Sequence, residues 1–598
     1  MSQNLNKYKN ILHFDCFPNL FFINRLAIIV CFFFCLILQL SFWLLPDFFS
    51  KTNPKTNIDV LLSVAKSIQI TFLSFYIVLN LISLPIIFYT IRFFLYAFFI
   101  PSYLKKLVIS NLKIISNIDL DKIKPKVAIV QGVCNDFVPS SFVDLFNQTY
   151  KNVDYFILDD SSSDIASQQL IECVDMFKKK FLWKFGNIKN FVENYCDKYD
   201  YILETDTSSV LSYNYLEIAL KYFYSNDLKT REIAFVVGSH YHYETHNLFS
   251  KFVDKSIQFM RVVAGETALL GSPLGPDGFA TLYKVSALKK IPFEKVQCPI
   301  DDYARGLWLL NNKFCNIYCP LIYAAKIAPC NIYHFKEQRC KWYSGEMFLF
   351  RTKLSFCTKK DIYHGIGCLF NWYMIGIYTW LNFFVSLSFN VFLYLTSYHQ
   401  IILPQLIVLG GVAILPCLIL ISIYEIKKIS IKPLLIFAFV LPLMHLAILY
   451  DAIYSIVYIG YILKKTWYSK YVLPKKAINL TSFQKIKLIM PRLLISIAIS
   501  VTVFLFDHFL IKNEYKILNI PIYVFLIVFP LIAPLICYIL FVSIGEIKVK
   551  NKLQNENDIN GANINKKHFL YDWIMHTINK TKNKKIIESF NKCVGNKS

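Results

Sequence analysis

An α/β domain framed by apolar helices is the fold class the sequence predicts, and three observations carry that prediction. Long apolar runs crowd both ends of the chain, the middle alternates short buried-strand patterns with helical ones, and polar residues collect where those strands stop.

The apolar ends are too large for a soluble protein of this size. Of 598 residues, 55% are hydrophobic and 17% aromatic, and the mean hydropathy is +0.42. The net charge of +24 comes from lysines that flank apolar runs or fill the C-terminal tail. That placement suits an anionic cytoplasmic leaflet and points away from nucleic acid as a partner. Sixteen cysteines are scattered without a Cys-x-x-Cys pair, so neither a disulfide framework nor a zinc ribbon is indicated.

Residues 19–45 form the first apolar run, preceded by Lys7 and Lys9, and long enough to span about 30 Å of hydrocarbon. No small-residue cleavage site follows it, which favours a retained anchor over a signal peptide. A second run lies within 68–100. Lysines after it (Lys105, Lys106, Lys113, Lys122, Lys124) outnumber those before it (Lys51, Lys55, Lys66), placing the N-terminus and the region after Pro101 in the cytoplasm. Four regions follow from this: 1–117 with two transmembrane helices, an α/β domain over 118–345, interfacial and transmembrane helices over 346–545, and a basic, partly disordered tail over 546–598.

Within the central domain, residues 127–133 read as a first buried strand, 142–149 as a helix and 154–159 as a second strand. Strand, helix, strand at this spacing implies a parallel sheet, with ligand chemistry at the carboxyl ends of its strands. The second strand ends in Asp159-Asp160-Ser161-Ser162-Ser163-Asp164, which by itself is equally a turn and helix cap. Lys184-Phe185-Gly186-Asn187 offers a cation and a close backbone approach to phosphate. A further strand, 201–203, runs into Glu204-Thr205-Asp206. Carboxylates at i and i+2 of a strand point the same way, and such hard oxygen ligands suit Mg²⁺ or Mn²⁺ bridging a diphosphate. Pro299-Ile300-Asp301-Asp302 precedes an apolar helical run over 304–310, where a helix cap accounts for one aspartate. Gln338-Arg339-Cys340-Lys341-Trp342 closes the domain with an amide, two cations and a flat ring.

Taken in order, these motifs resemble the family 2 glycosyltransferases of the cellulose synthase-like kind, membrane-embedded processive β-glycosyltransferases. The resemblance spans roughly residues 124–345 by motif and the flanking segments by architecture. It implies a GT-A fold, Rossmann-like with a mostly parallel sheet, as a cytoplasmic domain inserted between transmembrane helices. It also implies an inverting hexosyltransferase that uses a nucleotide-sugar, a UDP-sugar in the first instance, to extend a β-linked polysaccharide coupled to export.

Carried over by residue, the resemblance assigns Asp159 and Asp160 to the nucleotide, with Asp136 near the base and Lys184 beside it. Glu204 and Asp206 fall on the metal pair, and Asp302 on the general base. Arg339 and Lys341 fall beside the diphosphate. Gln338 and Trp342 match the acceptor-binding ends of the last motif, and Asp277 and Gly278 lie where the family meets the acceptor. Three positions depart from the pattern: Glu204 stands for aspartate, Ile300-Asp301 for Thr-Glu, and Lys341 for arginine, which loses the bidentate fork that fits phosphate. The implied partners are a nucleotide-sugar donor, a glycan or glycolipid acceptor and membrane lipids, in a bacterial inner or plasma membrane. Two alternatives stay open: a non-processive transferase to a lipid acceptor, and a transporter or scaffold that binds nucleotide without catalysis.

Other clusters are read more plainly. Ser239 to His246 holds three histidines and is expected as a polar loop after a strand over 233–237. Cys315 and Cys319 are expected as buried thiols in a strand. Residues 347–356 suit a helix lying in the membrane interface. Beyond it come spans within 366–395, 406–423, 488–510 and 520–542, and an ambiguous run over 434–463, giving six or eight spans in all.

Overall fold

The computed structural model describes residues 115, 117–133, 145–159, 188–207, 209–225, 232–243, 247–254, 276, 278–296, 300–312, 314–329 and 331–351, with parts of 440–448, 483–497 and 535–542. The tail, and nearly all of the expected spans, lie outside these residues. Among the described residues no helix is long and apolar enough to cross a membrane.

The central domain is built on one seven-stranded sheet of order β2-β1-β3-β6-β5-β7-β4. Its strands are β1 (Val127–Val133), β2 (Val153–Asp159), β3 (Tyr201–Asp206), β4 (Val210–Leu211), β5 (Ile233–Tyr243), β6 (Ala280–Lys284) and β7 (Cys315–Ile327). β1 is parallel to β2 and β3, and β5 to β7, while β6 runs antiparallel to both β3 and β5. The short β4 is antiparallel to β7. Five strands therefore share one direction, as the mostly parallel expectation requires.

Why these segments are strands is visible in their burial. Val127, Ala128, Ile129 and Val130 are all buried, with no alternation, which is the pattern of a strand covered on both faces. β3 repeats this over Tyr201, Ile202 and Leu203 before turning polar. Helices α1 (Ile188–Asn194), α2 (Tyr215–Phe223) and α3 (Asp301–Asn311) pack apolar residues into the sheet's core, and α4 (Ile332–Arg351) follows β7. α2 is fixed to the sheet by Tyr215, whose hydroxyl donates to the Ala280 carbonyl at 2.7 Å.

One sequence expectation is corrected here. The segment from Ser239 to Tyr243 is not a loop: β5 continues through it, paired to β7 from Ser239↔Tyr323 to Tyr243↔Ile327. Thirteen residues of β7 give β5 a partner along this extension, and its backbone groups are satisfied by the ladder. His240 and His242 are consequently buried, and the His242 backbone N–H donates to Asp254 Oδ1 at 2.8 Å. Cys315 and Cys319 lie buried in β7 as expected.

A second apolar cluster joins Phe249, Val253, Ile332 and Phe335 of this domain to Met444, Ala447, Ile448, Tyr538 and Phe541. The start of α4 thus packs simultaneously on the domain and on the C-terminal helical pieces.

Candidate active site

Strand register brings the predicted residues to one edge. Val133↔Asp159 and Gly132↔Asp206 align the carboxyl ends of β1, β2 and β3. Because β6 is antiparallel, its start is paired at Thr205↔Ala280, so Gly278 arrives beside the end of β3. The ends of the first three strands and the beginning of β6 form a common rim.

Asp206 is exposed at that rim while its backbone is held on two sides. Its N–H donates to Ser209 Oγ at 3.1 Å, and its carbonyl accepts from Gln131 Nε2 at 3.1 Å. The polar strand end is therefore rigid in the main chain and open at the carboxylate.

Glu204, two residues earlier, is turned to a different task. Arg305 Nη2 donates to both of its oxygens, at 2.7 and 2.6 Å, and Arg305 Nη1 donates to Asp301 Oδ2 at 3.1 Å. Arg305 is 1% exposed. Burial pushes the Glu204 carboxyl up to about 7, with the nearby Asp301 and Asp302 charges acting the same way and Arg305 opposing them.

Asp302 reaches beyond its own helix. α3 begins at Asp301 with no side-chain cap bond from Ile300, and Asp302 Oδ2 instead accepts the Gly278 N–H at 2.6 Å. A Cβ at Gly278 would stand 2.5 Å from that oxygen, so only glycine permits the contact. The same loop presses on α3 at Gly306, where a Cβ would meet Pro276 Cδ at 1.9 Å.

α4 brings in the last motif. A Cβ at Gly345 would stand 2.4 Å from Ile300 Cγ1, so α4 crosses directly over the entry to α3. Trp342 is three residues before the crossing, about 4.5 Å along the helix. Arg339 is buried on this helix, its guanidinium 4.8 Å from the Phe335 ring centroid and 4.2 Å from that of Trp342. Its charge lies against rings. Gln338 is half-buried on the same helix, and Lys341 is placed on it by the backbone.

Of the predicted residues, Asp206, Glu204, Gly278 and Asp302 thus share one corner, with Trp342 and Gln338 on the helix that crosses it. Asp159 ends β2 at the common rim. Asp136, Asp160, Lys184 and Asp277 lie outside the described residues.

No family model matches the chain. No curated protein matches it. Among solved structures it is similar to the mannosyltransferase PcManGT from Pyrobaculum calidifontis in complex with GDP-Man and Mn²⁺, with a TM-score of 0.37 at 11% identity over 63% of this chain and 99% of that one. It is also similar to S. aureus TarS, with a TM-score of 0.24 at 11% identity over 37% of this chain and 40% of that one. Overlap this loose assigns neither activity nor substrate to this chain.

Among the described residues no group of three or more His, Cys, Asp or Glu side chains is arranged to hold a metal ion. A magnesium-type ion at a diphosphate needs only one or two protein carboxylates, the rest of its shell coming from phosphate and water. Exposed Asp206 fits such a role, whereas both oxygens of Glu204 are engaged by Arg305.

Sequence reasoning missed Arg305, Gly306 and Gly345. The signal was present: one arginine and one glycine interrupt the apolar run over 304–310, and an isolated charge in a buried helix needs a counter-charge.

Proposed function

We propose that this chain is a membrane-embedded, family 2-type glycosyltransferase that moves a sugar from a nucleotide-activated donor onto a growing β-linked glycan with inversion. The observation that carries this is the meeting of Asp206 and Asp302 at one rim, through the antiparallel pairing of β6 and the bond from Gly278 to Asp302. A metal ligand and a base from distant parts of the chain are what a single displacement at an anomeric carbon needs in one place.

In this reading the donor's diphosphate lies along the ends of β1, β2 and β3. A divalent ion held there by Asp206 would supply charge neutralisation for the departing nucleotide. Asp302 takes the proton from the acceptor hydroxyl as it attacks the anomeric carbon. The Gly278 N–H fixes the carboxylate's direction, so the proton leaves along one line. Trp342 offers the acceptor sugar a flat apolar face, and Lys341, one residue before it, is the cation assigned to the leaving diphosphate. The enzyme sits in the plasma membrane with this rim on the cytoplasmic side, and the product passes through its own spans.

The full chain, purified in lipid with Mg²⁺ or Mn²⁺ and assayed against labelled UDP-sugars and GDP-mannose, tests the proposal. Asp302→Asn is expected to lower transfer by about 10²–10⁴-fold, the usual worth of a general base. Transfer at the wild-type rate in that variant removes the assignment. Long products on a gel support polymerisation, and a single added sugar overturns it.

A further inference from the structure

Contacts around Asp302 close into a circuit. Glu204 on β3 receives Arg305; Arg305 also holds Asp301 on the first turn of α3; the next residue, Asp302, receives the Gly278 N–H; and the chain from Gly278 enters β6, which is laddered back onto β3 at Thr205↔Ala280. Every link is a hydrogen bond, an ion pair or a bonded step of chain. Among the described residues, Arg305 joins the strand side to the helix side by charge.

We infer that Arg305 is the positioning residue of this site, and that Glu204 serves it rather than a metal. This rests on reading Asp302 as the base. At 1% exposure the guanidinium is closed off from any substrate, so its effect on chemistry passes through the groups it holds. With Nη2 against both Glu204 oxygens and Nη1 against Asp301, it fixes the first turn of α3 relative to the end of β3. That turn carries Asp302. A shift of the turn would carry Asp302 off the Gly278 N–H and off the acceptor's path, and misplacements of about 1 Å cost rate steeply. Tyr283, fully buried in β6, backs the guanidinium at 5.9 Å from its ring centroid, so the arginine has little room to swing.

The glutamate at 204 follows from the same geometry. Aspartate is shorter by one methylene, about 1.5 Å. Shortening would open a contact that now stands at 2.6–2.7 Å. The extra methylene that departs from the family's pattern thus belongs to the circuit, and Asp206 is left as the carboxylate at the rim. Arginine suits the post because its fork reaches two carboxylates at once, which a lysine ammonium does not.

Hydrogen exchange read by mass spectrometry on the full-length protein tests this without requiring activity. In Arg305→Lys and in Glu204→Asp, the peptide carrying the Gly278 amide is expected to exchange faster than in the wild type, while the β1 peptide over 127–133 keeps its protection. Glu204→Gln, which still offers Nη2 an acceptor of the right length, is expected to retain more protection than Glu204→Asp. In transfer assays with UDP-glucose, UDP-N-acetylglucosamine and GDP-mannose, Arg305→Lys is expected to lose kcat with the donor KM close to that of the wild type. Unchanged exchange at Gly278 in both variants overturns the inference. So does loss of β1 protection in both, which would make the arginine a prop of the whole fold, and so does a Glu204→Asp protein that transfers faster than the wild type. If the exchange pattern holds while the wild type transfers none of the sugars, the circuit stands and the glycosyltransferase reading falls.

Discussion

Two fully buried arginines lie within one domain and have different neighbours. Arg305 meets carboxylates, with both Glu204 oxygens on one nitrogen and Asp301 on another, whereas Arg339 meets rings, stacked against Phe335 and Trp342. The first arrangement is directional and fails badly when one partner is lost, because it leaves a buried charge exposed to a low dielectric. The second is broad, tolerates small shifts and rests partly on the apolar stem of the side chain. The difference gives the two corners different characters: one ties the end of β3 to the first turn of α3, the other packs along α4 itself.

Removing the charges separates the two most sharply. Arg305→Met is expected to cost about 3–5 kcal/mol of stability, the usual penalty for orphaning a buried partner, read as a lower urea midpoint. Its Asp301 contact adds little to that figure, since the Asp301 side chain is 44% exposed and screened by water. Gly306→Ala comes next, at about 1–3 kcal/mol, because the new methyl must displace Pro276. Transfer should fall in the same variant, as Pro276 lies two residues before Gly278, the donor to Asp302. Arg339→Met keeps the stem and loses the contacts with Phe335 and Trp342, for about 0.5–2 kcal/mol. A loss as large as that of Arg305→Met would show that the ring contacts hold Arg339 as firmly as the carboxylates hold Arg305.

The smallest effect is one of pH. His334 lies in the first turn of the junction helix, its N–H donating to Asn331 Oδ1 at 3.0 Å. Burial holds its imidazole below the usual 6.5, with Glu337 pulling the other way. The folded protein therefore binds this proton less readily than the unfolded chain, so stability falls as pH drops through about 6.5. Melting curves from pH 7.5 to 5.5 should show this, and His334→Gln should flatten the acid side. An acid loss unchanged by that substitution would assign it elsewhere.

Much of the central domain is legible in the sequence because its strands are uniformly apolar and end in polar residues. β1 and β2 can be read within a residue, β3 and α3 within three, and the thiols of β7 as buried. The extension of β5 through His240 and His242 is not legible, because a strand partnered along both its halves tolerates polar residues that look like loop. Nor is the partner of Glu204: a carboxylate on a strand end announces a cation, and only the fold decides whether that cation is a metal or Arg305, a hundred residues away. Gly278, Gly306 and Gly345 illustrate the same limit, since each is needed for a contact made in space and none for a turn in its own segment.

β6 also governs the order in which the domain can be assembled. Its five residues are the only seam between the β2-β1-β3 group and the β5-β7-β4 group among the described strands, yet they follow β1 through β5 in the chain. On the ribosome, the first three strands and β5 emerge before the strand that must lie between them. Until residue 284 has been made, β3 and β5 each keep an open edge, a template for pairing with the wrong neighbour. The polar end of β3, with Glu204 and Asp206 on one face, makes that waiting edge a poor partner for another apolar strand. The carboxylates of the site thereby guard the sheet during synthesis, before there is any substrate for them to hold.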